Sequence, residues 1–179
     1  MPPIMFIRHA EKPEKDQKGV TLDGEHDEHS LSVRGWTRAG ALAALFANAS
    51  SRTPLAQPGR IIATAPSHSY KSKREHDTAL PTANRLGISI DGREVPDDYA
   101  PMIDDLEKSR QPTLIVWHHG SIPAFVRSFP LTNPEQVPGE WPEDRFDLIW
   151  VLIPSGEDYA WRQIEQDLLH GDAPQQATI

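Results

Sequence analysis

Two short stretches bring together side chains that can do chemistry. Arg8-His9 closes an apolar run, Pro3-Ile4-Met5-Phe6-Ile7, that starts almost at residue 1. His118-His119-Gly120 closes a second, Thr113-Leu114-Ile115-Val116-Trp117. Arginine offers a planar fork of donors that matches phosphate. Histidine offers a ring nitrogen that is partly neutral, hence nucleophilic, near pH 7. A cation beside that ring disfavours its protonated form and keeps it able to attack. An Arg-His pair at a strand end is also ordinary polar surface, and the two His-ended runs could be unrelated core elements. Two strand ends converging on one site is the sharper reading, because ligands of open α/β sheets bind beyond the carboxyl ends of strands.

A third stretch, Lys71-Ser72-Lys73-Arg74, opens a helical pattern over residues 72–86. Basic side chains suit the last turn of a helix, not its first, unless an anion binds there. The alternative is a solvated basic face. His26-Asp27-Glu28-His29 tempts towards a metal, with two His at i and i+3. No further ligand stands at a telling distance, so it reads as a solvated polar loop.

The elements that must position these groups follow from periodicity. Residues 4–7, 61–64 and 113–117 read as buried strands. Ser32 can cap a helix over residues 33–48, where Leu42, Leu45 and Phe46 recur at helical spacing and face a core. Gly35 and Ala39 are small and one turn apart, so that face can approach a neighbour closely. Pro81 predicts a kink or break in the 72–86 helix, which Gly87 ends. Residues 88–90 read as a short edge strand, Asp91-Gly92 as a turn, and 102–108 as a helix. Residues 146–153 and 159–164 read as a hairpin with a five-residue connection. Residues 14–29 form a long polar loop, of the kind that serves as a lid or specificity loop.

The chain has 179 residues, enough for one domain with a real core, and no internal repeat. A single domain over residues 1–169 with a polar tail over 170–179 is expected. There is no cysteine, which excludes disulfides, thiolate metal sites and a cysteine nucleophile. A net charge of −8 argues against nucleic acid and anionic membrane as partners. No apolar stretch approaches the ~20 residues of a membrane span. No basic region precedes an apolar core at the N-terminus, so no signal peptide is expected, and the cytoplasm is the expected compartment.

Taken in order, these stretches resemble the histidine phosphatase superfamily, the phosphoglycerate-mutase-like group. Arg8-His9 at the end of the first strand looks like that family's nucleophile motif. Leu31-Ser32 followed by Gly35 and Ala39 looks like its first-helix signature. Arg74 followed by Thr78-Ala79 has its Arg-x-x-x-Thr-Ala spacing, and Trp117-His118-His119-Gly120 looks like its second-histidine motif. The resemblance implies a three-layer α/β/α sandwich with a mostly parallel central sheet. It implies His9 as nucleophile, Arg8, Arg74 and His119 around the phosphoryl group, and no metal or other cofactor. His119 is the residue before the glycine, and alternation along a strand would leave His118 in the core or behind the site. Glu94 is the first choice of general acid, with Asp97 and Asp98 as rivals.

The chain departs from the pattern in four places. Arg-His-Ala replaces the common Arg-His-Gly. The segment between Thr64 and Arg74 is longer than usual. Glu11-Lys12-Pro13 does not reproduce the longer mutase signature, and Gly120 stands where acid phosphatases carry Asp. The implied activity is hydrolysis of a phosphorylated small molecule or phosphoprotein. A mutase-type phosphotransferase and an idle phosphate-binding regulator are the alternatives.

Overall fold

The computed structural model describes residues 1–49 and 54–172. Its strands are β1 (Ile4–Arg8), β2 (Arg60–Thr64), β3 (Ile90–Arg93), β4 (Thr113–Trp117), β5 (Leu148–Ser155) and β6 (Asp158–Glu165). The helices are α1 (Val33–Ala47), α2 (Arg74–Leu86), α3 (Ala100–Lys108) and α4 (Ile122–Arg127). The six strands form one sheet in the order β3-β2-β4-β1-β5-β6. The first four are parallel, and β5 runs antiparallel to both β1 and β6.

Every residue of β1 and of β4 is buried, as expected for strands covered on both faces. Alternation divides their side chains between two cores. Ile4, Phe6, Ile115 and Trp117 pack with α3 and α4. Met5, Ile7, Leu114 and Val116 pack with α1 and α2. The result is the expected α/β/α sandwich. No helix of the described residues is long and apolar enough to cross a membrane.

Register brings the parallel strands to a common edge. Arg8 lies opposite Trp117, Ala63 opposite Val116, and Thr64 opposite Arg93. The segments that follow β1, β2, β3 and β4 therefore leave the sheet side by side. That alignment makes a site from residues far apart in sequence.

Several boundaries differ from the sequence reading. Helix α2 runs without a break through Pro81. An internal proline costs about 3 kcal/mol, but Ala79 and Ala83 on either side are both locked into the core. Strand β3 takes in Asp91-Gly92, the expected turn, because Asp91 is held by Arg60 and Arg93. The hairpin connection is two residues, Gly156-Glu157, with Gly156 at φ 67°. Pro154 fits in β5 because it lies beyond Leu152, the last residue paired with β1. Residues 170–172, read as the start of a polar tail, are tied down: Asp172 accepts hydrogen bonds from Arg38 at 2.7 and 3.0 Å. Residues 173–179 lie outside the described residues.

Candidate active site

Arg8 is the last residue of β1 and is 2% exposed. Its guanidinium lies over the Phe146 ring, 4.1 Å from the centroid, and Nη1 donates to the Glu143 carbonyl at 2.6 Å. Its Nε is buried with no partner among the described residues. Burial lowers its pKa to about 10, although Glu75 and Glu143 pull the other way. Arg8 therefore remains a cation at neutral pH, with a donor still to satisfy.

His9 is also buried. Its Nδ1 sits 2.7 Å from the Ala10 carbonyl oxygen, which can only accept, so Nδ1 carries the proton and Nε2 keeps its lone pair. Burial, with Arg8, Arg74 and His119 nearby, lowers its pKa to about 3. The backbone behind it is fixed from two sides. Ala10 N–H donates to Thr78 Oγ1 at 2.8 Å, and Thr78 Oγ1 donates to the Arg74 carbonyl at 2.7 Å. The Glu11 carbonyl accepts from both the N–H and the Oγ of Ser32, whose oxygen also caps α1 through Gly35 N–H. A Cβ on Gly35 would run into the Glu11 carbonyl oxygen, so glycine is what allows α1 to come this close.

Arg74 opens α2 and is held from the side by the long loop. Its Nε donates to Ser30 O at 3.1 Å and its Nη2 to Glu28 O at 2.6 Å. The loop is closed on itself, with Asp27 N–H on Gly19 O, and is pinned to α2 by Lys73 Nζ on Asp27 Oδ2 at 2.7 Å. So the basic cluster divides: Lys73 is neutralised by Asp27, and Arg74 is held by loop carbonyls with its charge felt at His9. Among the described residues no group of three or more His, Asp and Glu has the arrangement of a metal site, His26 and His29 included.

His119 brings its ring to 6.0 Å from that of His9, edge to face. Its Nδ1 is buried without a partner among the described residues. Burial, Arg8 and His118 lower its pKa to about 4. The alternation argument for His118 does not apply, because β4 ends at Trp117 and residues His119–Ser121 form a 3-10 turn. The two rings lie 5.0 Å apart, and His118 also meets the Tyr70 ring at 5.4 Å. A Cβ on Gly120 would lie 3.0 Å from the His118 ring, so the glycine makes room for it.

Glu94 is exposed on the segment after β3 and shares a pocket of about 240 Å3 with Thr64, Tyr70 and His118. Asp97 and Asp98 are exposed, and Asp98 caps α3 by accepting from Ala100 N–H. Sequence reasoning missed three residues. Phe146, read as the start of a strand, underlies Arg8. Glu75 is fully buried, accepting from Tyr70 Oη at 2.6 Å and Ser72 Oγ at 3.0 Å, and burial raises its pKa. Tyr70 is the third. An acid directly after Arg74, in the helix's first turn, was the one available signal.

His9 thus lies 6.0 Å from a second neutral imidazole and feels the charge of two arginines. Such a cluster can hold a dianion and present it with a nucleophilic nitrogen.

A scan against protein-family models finds no match, and no curated protein matches the chain. Solved structures do. The mycobacterial glucosyl-3-phosphoglycerate phosphatase aligns with 92% of this chain and 98% of its own, at a TM-score of 0.57 and 18% identity. The putative phosphohistidine phosphatase SixA of Agrobacterium tumefaciens aligns over 92% and 96%, at 0.53 and 16%. A mutant phosphoserine phosphatase of Entamoeba histolytica, complexed with phosphoserine, aligns over 90% and 95%, at 0.51 and 13%. At these identities the likeness shows the fold alone, and that fold is the expected phosphoglycerate-mutase-like α/β/α sandwich.

Proposed function

We propose that this protein is a phosphatase that hydrolyses a phosphomonoester, on a small molecule or a protein, through a phosphohistidine on His9. The observation that carries the reading is the His9 ring: Nδ1 is committed to Ala10 O, and Nε2 is left with its lone pair beside Arg8, Arg74 and His119. The similar structures named as phosphatases support it.

In the first step Nε2 attacks phosphorus in line with the ester oxygen. The N–P bond forms as the P–O bond breaks, and Glu94 delivers a proton to the departing oxygen. Arg8, Arg74 and His119 stabilise the charge on the equatorial oxygens. In the second step water attacks phosphorus, Glu94 takes its proton, and the N–P electron pair returns to Nε2. The arginines supply the positive charge that a metal ion supplies elsewhere, so the reaction is metal-independent.

The test is hydrolysis of p-nitrophenyl phosphate by wild type and His9→Ala, each with and without a chelator. Activity that survives chelation and disappears in His9→Ala is expected, with an acid-labile, base-stable phosphoenzyme trapped from the wild type only. Loss of activity on chelation would overturn the metal-independent mechanism. Phosphate binding without turnover of any phosphomonoester would identify the chain as an idle binder instead.

A further inference from the structure

The long segment between Thr64 and Arg74 has no part in the reaction proposed above, yet it is tied together by its own hydrogen bonds. Ser67 N–H donates to Tyr70 O at 2.6 Å, Tyr70 N–H donates to Ser67 Oγ at 3.2 Å, and the Ser67 and Ser69 hydroxyls lie 3.2 Å apart. Tyr70 is fixed at both ends. Its hydroxyl donates to Glu75, a carboxylate that is 0% exposed, and its ring meets the edge of His118. Across the cavity stand Glu94, Val95 and Ser121. The volume, about 240 Å3, opens beside His118, one ring away from His119.

The chemistry of the lining is specific. Ser67, Ser69, Ser121 and Thr64 each offer both a donor and an acceptor, and Tyr70 offers an aromatic surface. Among the described residues that line the cavity there is no Lys or Arg. Burial, with Arg8 nearby, lowers the His118 pKa and favours its neutral ring. A carboxylate or second phosphate entering here would lose water and find no cation among the lining residues, while Arg8 and Arg74 beyond them already donate to the Glu143, Ser30 and Glu28 carbonyls. Glu94 is exposed, so its pull on an ammonium group is screened.

We infer that this cavity receives the leaving group of the substrate, and that this group is a neutral polyol or sugar rather than an acid. The inference rests on the phosphatase reading and extends it to a substrate class. The added segment is then the specificity element, and the buried Glu75 is its anchor through Tyr70.

Four substrates at one pH and ionic strength test it: sorbitol 6-phosphate, 3-phosphoglycerate, O-phosphoethanolamine and phenyl phosphate. The expected wild-type kcat/KM for sorbitol 6-phosphate exceeds that for 3-phosphoglycerate by at least roughly tenfold. Val95→Lys, which places a cation in the lining, should shrink that ratio by about the same factor. A ratio at or below one, or a ratio that Val95→Lys leaves unchanged, overturns the polyol assignment while phenyl phosphate hydrolysis upholds the phosphatase. Preference for O-phosphoethanolamine also overturns it and assigns Glu94 to cation recognition. No hydrolysis of any of the four overturns this inference, and the His9 phosphoenzyme experiment above then decides the phosphatase reading separately.

Discussion

His9 shows how a fold can hold an imidazole neutral at a cost in acid stability. An imidazole that is 5% exposed and feels the charge of two arginines and a second histidine gains nothing from a proton. Its ordinary value is 6.5, and the fold lowers it to about 3; His119 falls from 6.5 to about 4. The unfolded chain therefore binds protons that the folded chain refuses. The stability these rings contribute is fully present above pH 6.5 and is lost as pH falls towards their folded values. Denaturant midpoints measured from pH 8 to pH 4 should fall in wild type and fall less steeply in His9→Gln, which cannot take the proton. Parallel curves would mean that His9 titrates normally. Arg8, His9, Arg74 and His119 were legible because each stands at a strand end or helix start that periodicity exposes. Glu75 was not, since a glutamate in a first helical turn is ordinary and only the packing of Tyr70 and Ser72 around it shows its burial.

At the scale of elements, helix α1 acts as a brace for the loop that carries His9, and one glycine sets how near it comes. Gly35 is buried, and a Cβ there collides with the Glu11 carbonyl oxygen, which is backbone and cannot swing away. Gly35→Ala should cost about 1–3 kcal/mol through overpacking. It should also lower kcat/KM for phenyl phosphate, because the carbonyl it displaces is two residues from His9. Gly40 in the same helix is the control: it is exposed, and a Cβ there meets nothing. Gly40→Ala should stabilise by about 0.5–1 kcal/mol through helix propensity alone. Equal effects from the two substitutions would remove the brace. The closeness of the Gly35–Ala39 face was readable from side-chain size, but what it approaches was not. Strands β1 and β4 were readable because they are unbroken apolar runs ended by charge. Strand β3 and the hairpin turn were misread because Asp-Gly and Pro-Ser-Gly-Glu-Asp are turn sequences that neighbouring strands recruited into a ladder.

At the scale of the whole molecule, one buried arginine joins the beginning of the chain to its end. Arg38 is 2% exposed; its Nε and Nη2 donate to Glu11, and its Nη1 and Nη2 donate to Asp172. Gln166 completes the set through Nη1 at 2.9 Å, and itself donates to the Phe146 and Leu148 carbonyls. Burial disfavours the Asp172 carboxylate, but hydrogen bonds from Arg38 and the backbone outweigh it and hold its pKa down at about 2. These partners stand 27 to 134 residues from Arg38, so no local pattern announces them. The network holds Glu11, two residues after His9, and the carbonyl of Phe146, whose ring lies under Arg8. Asp172→Ala leaves Arg38 with Glu11 and Gln166, and should cost about 1.5–3 kcal/mol, the range for hydrogen bonds to a charged group. Arg38→Ala removes the buried cation from both carboxylates and leaves them to the half-exposed Arg34, so it should cost more than Asp172→Ala. The consequence for function separates this from simple loss of stability. At a temperature where both variants are fully folded, Arg38→Ala should lower kcat for phenyl phosphate while Asp172→Ala leaves it nearly intact, because only the former loosens Glu11, which is then held by the half-exposed Arg34 alone. Equal kcat values in the two variants would confine the network to holding the C-terminal segment, with no hold on His9.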